Sequence, residues 1–588
     1  MHFDDTAIEA RRNENWRRIV ADDIFDLGVA DGSEFPVLSK RRGAGRNGEY
    51  GNQTSQTNER AHVFISRNET QTKYTRMWRQ SGRRMLFGGL LALAACGGSG
   101  PEQGDIGFVE GFFGGLIADE PRAALVGREV LSAGGTAADA AVAAYFAMAV
   151  TLPGAASIGG GGVCLVHDAV RIRTETISFM PKRPADQNAK FAIPGNVRGM
   201  FLLHARYGEL AWPDILRPAE DFARAGHAIS RAFVRDFQAA QPVVNVDLEA
   251  RKVFGSGAVA EGQQLRQLEL GAVMSNLRTL GPGTFYDGVL GRSFVDAVRA
   301  AGGRMTLDDL RNFRPEILEP IKFEQGNNIM AFAPQGGGRI AAGVWAAAVD
   351  DDRYEDAKQP THLMLELAAR AYQAEAAGAV DPTTPGGLAT LTHGLSATSH
   401  VPPQPSVAVG VDAIQSGASI VAVDNKGRTV ACSFTMNGPF GSGIVAPGTG
   451  ILLAPPPGAP RASVPTVALM VSEVIGLTFF AAAGSGPTPA VVAQIALDTI
   501  TGTDENMIEA VAAPRVFSSG NPDTAHVEAQ MPAKQKDALR ALGHMIEETP
   551  FVGRVNGFFC PRGLPRTVQI CQFVKDSRSF GLAVSSEE

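Results

Sequence analysis

The stretch TAADAAVAAYFAMAV, residues 136–150, constrains the fold more than any other part of this 588-residue chain. Alanine is the best helix former, and Thr136 and Asp139 stand three apart, as the two ends of a capping box do. The helix that follows is apolar on nearly every face, so it must be central and covered all round. The flanking sequence supplies the cover. Upstream, DEPRAALVGREVLSAGG places Pro121 in a first turn and Gly134-Gly135 at the far end, which predicts a capped helix. Downstream, four glycines (159–162) lead into the strand VCLVHD, and RIRTETISFMP pairs back on it. From Asn196, NVRGMFLLHARYG and WPDILRPAEDFARAG are amphipathic helices ended by glycine. YEDAKQPTHLMLELAARAYQAEAAG is a long helix, followed by a proline-rich loop at 402–405. SIVAVD, NKG and RTVACSFTMN then read as strand, turn and strand. LTFFAAAGSGPTPAVVAQIALDTITG reads as strand, glycine-rich loop and helix. Helices and hairpin-connected strands in blocks predict an α+β fold, with helices packed over antiparallel sheets rather than a doubly wound parallel sheet.

Net charge −7, pI about 5.9 and no Lys/Arg stripe in the body of the chain argue against nucleic acid as a partner, because phosphate contacts need a concentrated basic footprint. The N-terminal region differs from the rest. Residues 1–76 are rich in Arg, Asn, Asp, Glu and Thr and show few periodic apolar positions, so no core is expected there. Arg79, Arg83 and Arg84 then precede a short apolar run, Met85 to Ala95, which ends in Leu93-Ala94-Ala95-Cys96. That order resembles a bacterial lipoprotein signal, with 77–95 as signal peptide, Cys96 as the lipidation site and 96–105 as linker. Such a signal works at an N-terminus. Translation is therefore expected to start at Met77 or Met85; the alternative is a genuine extension that blocks export. The expected location is the bacterial cell envelope, lipid-anchored and facing the periplasm. Cys164 and Cys432 lie in apolar strands and read as buried thiols. Cys560 and Cys571 flank a Pro/Gly loop, and an exported compartment would permit a disulfide between them. The ten histidines are scattered and no Cys/His spacing marks a zinc site, so neither metal nor cofactor is expected.

Several long motifs, in order, resemble the γ-glutamyltranspeptidases. They are GGTAADAAVAA (134–144), SIGGGGVCLVHD (157–168), IPGNVRGMFLLHARYGEL (193–210), FGSGIVAPGTGILL (440–453) and EAVAAPR (509–515). The resemblance runs from about Gly107 to Gly581. It implies an N-terminal-nucleophile hydrolase fold, an αββα sandwich, with 106–416 corresponding to the large subunit and 417–588 to the small one. It also implies γ-glutamyl transfer or hydrolysis of glutathione-like amides. The nucleophile would be a threonine freed by self-cleavage, whose α-amine serves as base. Two glycine amides would form the oxyanion hole, and an arginine would grip the glutamyl carboxylate.

Position by position, this sequence departs from that pattern. Counting back from Asp424, the nucleophile falls on Gly417, which has no side chain. Ser419 shares its strand face but stands about 6–7 Å further along. Thr435 and Asn437 match positions that support the nucleophile and the glutamyl group. The carboxylate-binding arginine falls on Met180, with Lys182 and Arg183 nearby. The oxyanion pair falls on Pro487 and Thr488, next to Ser485 and Gly486, and proline has no N–H to donate. APPPGAP (454–460) replaces an acidic segment, and paired serines become Ala462-Ser463. Three readings remain open: a non-catalytic member that binds a γ-glutamyl or peptide-like small molecule or a partner in the old cleft; an amidase or γ-glutamyltransferase using Ser419 after cleavage behind Ala418; and a purely structural envelope protein.

Overall fold

In the computed structural model, the alanine-rich run forms helix α2 (Ala137–Thr151), with every residue buried. Its capping box is made: the Thr136 hydroxyl accepts from the Asp139 amide at 3.1 Å, and Asp139 returns a bond to the Thr136 amide at 3.0 Å. Helix α1 (Pro121–Ser132) precedes it, capped by the Glu120 carboxylate. Helices α3 (Asn196–Tyr207) and α4 (Trp212–Ala225) follow as expected, and α5 (Arg231–Val244) comes next. The structure describes residues 111–588 apart from 351–352, 379–380, 382–383, 405–416, 459–463, 501–505, 567–569 and 587–588. The N-terminal extension, the leader, Cys96 and Ser463 therefore lie outside the described residues.

Two antiparallel sheets sit face to face. The first holds β1 (Gly114–Ala118), β2 (Gly161–Asp168), β3 (Arg173–Phe179), β4 (Glu316–Leu318), β7 (Ala418–Asp424), β8 (Thr429–Thr435) and β13 (Leu582–Ser585). Their order is β13-β1-β7-β8-β2-β3-β4. The second holds β5 (Ile321–Gln325), β6 (Asn328–Phe332), β9 (Thr466–Ser472), β10 (Leu477–Ser485), β11 (Arg554–Leu564) and β12 (Gln572–Val574), in the order β12-β11-β10-β9-β6-β5. The inner faces make one core: Val163, Leu165, Val421, Val423 and Ala431 meet Val467, Leu469, Ala481, Ala483 and Phe558. The outer face of the second sheet packs Met330, Phe332, Met470 and Phe480 against α6 (Gly338–Val349), α7 (Pro360–Ala376) and α8 (Pro489–Ile500). On the outer face of the first sheet, Phe434 stacks its ring 4.7 Å from Tyr145 of α2. Alternation along each strand thus feeds two cores, as a four-layer αββα sandwich requires.

Two of the cysteines differ from expectation. Cys164 and Cys432 are a disulfide rather than free thiols. The register of β2 and β8 sets them directly opposite each other, with Cα atoms 4.1 Å apart. The two strands are 268 residues apart in sequence, so their adjacency is not legible from either alone. Cys560 and Cys571 form the second disulfide.

Candidate functional site

Strand β7 begins where the sequence places the nucleophile. Gly417 immediately precedes it, buried and with φ of 98°, a conformation that suits glycine. The next residue on that face is Ser419, which points between the sheets. Its hydroxyl donates to Asp119 Oδ2 at 3.1 Å and accepts from Asn556 Nδ2 at 2.9 Å. Its own amide also donates to Asp119 Oδ2, at 2.8 Å. Asn556 Nδ2 lies 3.0 Å from the other Asp119 oxygen. Ser419 and Asn556 are 0% exposed and Asp119 1%, so protein surrounds the serine on all sides. Asp119 directly follows β1 and Asn556 lies on β11, so the cluster ties the two sheets together at one end of the sandwich.

A buried arginine sits above this cluster. Arg554, 1% exposed, donates through Nη2 to the Gly417 carbonyl at 2.7 Å and through Nε to Ser485 Oγ at 3.2 Å. Its guanidinium therefore bridges the expected nucleophile position and the loop expected to carry the oxyanion donors. Nη1 lies 3.7 Å from Asp236 Oδ1. Asp236 is shared with Arg235, 2.7 Å away. Burial, with the adjacent Arg554 guanidinium, pulls Arg235 below the ordinary arginine value. In the loop itself, Gly486 has φ of 90°, Pro487 has no N–H, and the Thr488 amide is turned back onto the Gly486 carbonyl at 2.9 Å. Neither residue at the expected oxyanion positions presents a free amide.

The remaining candidates gather around the proline-rich segment. Thr435 Oγ1 accepts from the Asn437 amide at 2.9 Å, and Asn437 Nδ2 donates to the Pro455 carbonyl at 2.9 Å. Arg183 is exposed, and its guanidinium donates to the Pro457 carbonyl at 2.9 Å and the Gln187 carbonyl at 3.4 Å. Lys182 pairs with Glu316 at 2.6 Å. The structure thus joins Thr435, Asn437 and Arg183 through segment 454–458, and joins Ser485 to Gly417 through Arg554.

Asp119, Asp236, Arg554 and Asn556 carry no motif and were not singled out from the sequence. Each is an ordinary strand-end or helix residue until the two sheets are stacked. Behind them runs a buried ionic network: Arg515 on Asp576 at 2.6 Å, Arg578 on Asp576 at 3.3 Å and Arg578 on Glu528 at 2.5 Å. Burial raises the Asp576 carboxyl, but Arg515 and Arg578 outweigh it and hold the group below the usual carboxylate range. Beside Asp119, a cleft of about 440 Å³ is lined by Arg122, Arg231, Lys575, Glu261 and Phe580. Two of its cations are already paired, Arg231 with Glu261 at 3.0 Å and Arg122 with Glu120 at 3.4 Å.

Comparison with known proteins places these features in context. The family model described as Gamma-glutamyltranspeptidase matches residues 123–455. The glutathione hydrolase proenzyme of Pseudomonas aeruginosa is 29% identical over 379 residues, covering 58% of this chain and 67% of that protein. The acylase ACY 1 proenzyme of a Pseudomonas species is 27% identical over 511 residues, covering 76% and 90%. The crystal structure of cephalosporin acylase from Bacillus halodurans shares the fold, with a TM-score of 0.68 at 20% identity over 83% of this chain and 98% of that one.

Proposed function

The chain belongs to the γ-glutamyltranspeptidase family, and we propose that it keeps the family's fold while having given up amide hydrolysis. The observation that carries this reading is the Arg554 bridge. The family mechanism needs a nucleophile and oxyanion donors facing a substrate carbonyl across a gap of about 3 Å. Here the nucleophile position is a glycine, and its carbonyl and Ser485 both bond a guanidinium from the protein itself. Pro487 removes one oxyanion donor, and the Gly486 carbonyl takes up the Thr488 amide.

In this reading Ser419 is structural. A buried serine bonded through both amide and hydroxyl to Asp119 holds β7 against β1 and is closed to a substrate. The protein would instead bind a small γ-glutamyl or peptide-like molecule in the cleft lined by Arg122, Arg231, Glu261 and Lys575. The leader-like run ending at Cys96 supports a lipid-anchored place in the cell envelope.

The test is an intact mass of the reduced, denatured full chain, together with turnover of a γ-glutamyl anilide. One undivided polypeptide and no anilide release above the uncatalysed rate are expected. A fragment beginning at Gly417 or Ser419, or enzymatic release that Ser419→Ala abolishes, would overturn the proposal and favour the amidase reading.

A further inference from the structure

On the far side of the second sheet, the structure gathers side chains that the sequence leaves scattered. His362 and Glu366 lie one turn apart on α7 and so share a face. His544, 182 positions after His362, stands in the turn before the strand Ile546–Thr549. The three are 2%, 1% and 7% exposed. One nitrogen or oxygen from each lies within 4.8 Å of the others. We propose that His362, Glu366 and His544 form a binding site for a divalent transition metal of the zinc class.

The outer contacts set two of the three inner atoms, those of His362 and Glu366, for coordination. His362 Nε2 lies 2.9 Å from the Ser396 carbonyl, which can only accept. Nε2 therefore carries the proton, and the inward Nδ1 presents a lone pair. Arg370 donates to Glu366 Oε2 at 2.6 Å, which leaves Oε1 facing the site. His400 stands 2.5 Å from that Oε1 and reaches the Asp523 carboxylate, at 3.0 and 3.1 Å, with its other nitrogen. A ligating histidine that gives its second N–H to a carbonyl, and a ligating carboxylate held by further donors, are the usual supports of a metal site. Two imidazoles and one carboxylate are a zinc donor set that leaves a fourth position for water.

The spacing fits with a small adjustment. His544 Nε2 is 3.9 Å from Glu366 Oε1, room for an ion with bonds of about 2.0–2.2 Å. His544 Nε2–H donates to His362 Nδ1 at 2.7 Å, a proton the ion would displace. An ion in its place would push the two rings apart by roughly half an ångström or more. A cleft of about 500 Å³, lined in part by His362, Ser396, Asp356 and Gln359, reaches the outer side of the His362 ring. The bound ion would clamp α7 to the turn at His544. No motif announces this, because two of the ligands share a helix and the third comes from a distant turn.

The full chain is equilibrated with zinc chloride, dialysed against metal-free buffer and analysed for metal. The expected result is about one zinc per chain, a melting temperature that falls by several degrees on chelation, and, after cobalt substitution, visible absorption of four-coordinate intensity. His544→Gln should lower zinc affinity at least about 100-fold. Should that variant fail to fold, Asp523→Asn, in the partly exposed outer shell, should weaken binding about tenfold. Zinc at background in the wild-type chain, or zinc retained at full stoichiometry and affinity by a folded His544→Gln, would overturn the proposal. So would chelation that leaves the melting temperature unchanged.

Discussion

Gly417, Ser419 and Arg554 behave differently under substitution because they are buried for different reasons. Ser419→Ala removes one hydroxyl and leaves Asn556 Nδ2 its bond to Asp119. Equilibrium denaturation should show a loss of about 1–2 kcal/mol, with the chain's fragment pattern unchanged. Arg554→Met is expected to be harsher. It strips the Gly417 carbonyl and Ser485 Oγ of their donor and leaves the Arg235–Asp236 pair without its neighbour, a change of the order of 3 kcal/mol or more in the same measurement. Gly417→Thr supplies a hydroxyl at the family's position but forces a β-branched residue into φ of 98°. It should cost about 1–3 kcal/mol and still show no anilide turnover, since Pro487 and Thr488 stay as they are.

At the scale of elements, the strands and helices that frame the site were legible in the sequence because each is locally consistent. The Thr136–Asp139 box opens α2. The Asp424 carboxylate accepts from the amides of Lys426 and Arg428 and so shapes the turn between β7 and β8. The contents of the site were less legible. A glycine at 417 and a proline at 487 can be counted from motifs. That Arg554 joins Gly417 to Ser485 depends on how one sheet is stacked on the other, which no periodicity encodes. The same holds for Cys164 and Cys432: each strand looks like plain core until the register sets them opposite. Thiol titration of the denatured, unreduced protein should accordingly find no reactive sulfur at positions 164, 432, 560 or 571. Replacing Cys164 and Cys432 together by alanine should lower stability by about 2–5 kcal/mol.

For the whole molecule, buried histidines set the response to acid. Burial lowers both His167 and His227 to about 4. The unfolded chain takes up these protons near pH 6.5, while the folded chain refuses them until about 4. Stability from the two groups is full above pH 6.5 and falls between there and 4, by up to about 1.4 kcal/mol per pH unit for each. Thermal melts across that window should drop steadily, and His167→Gln should flatten the slope. Asp576 acts lower on the scale. Its depressed carboxyl contributes stability above the ordinary carboxylate range, which is lost as pH falls through its folded value. The chain's two stretches on either side of residue 417 are also interleaved: β7 and β8 lie between β1 and β2 in one sheet. The bridge from Cys164 to Cys432 then sews the earlier stretch to the later one across position 417. A molecule nicked there would travel as a single species through any separation that spares sulfur–sulfur bonds, so an oxidised sample of apparently unbroken size reveals nothing about whether its backbone is whole.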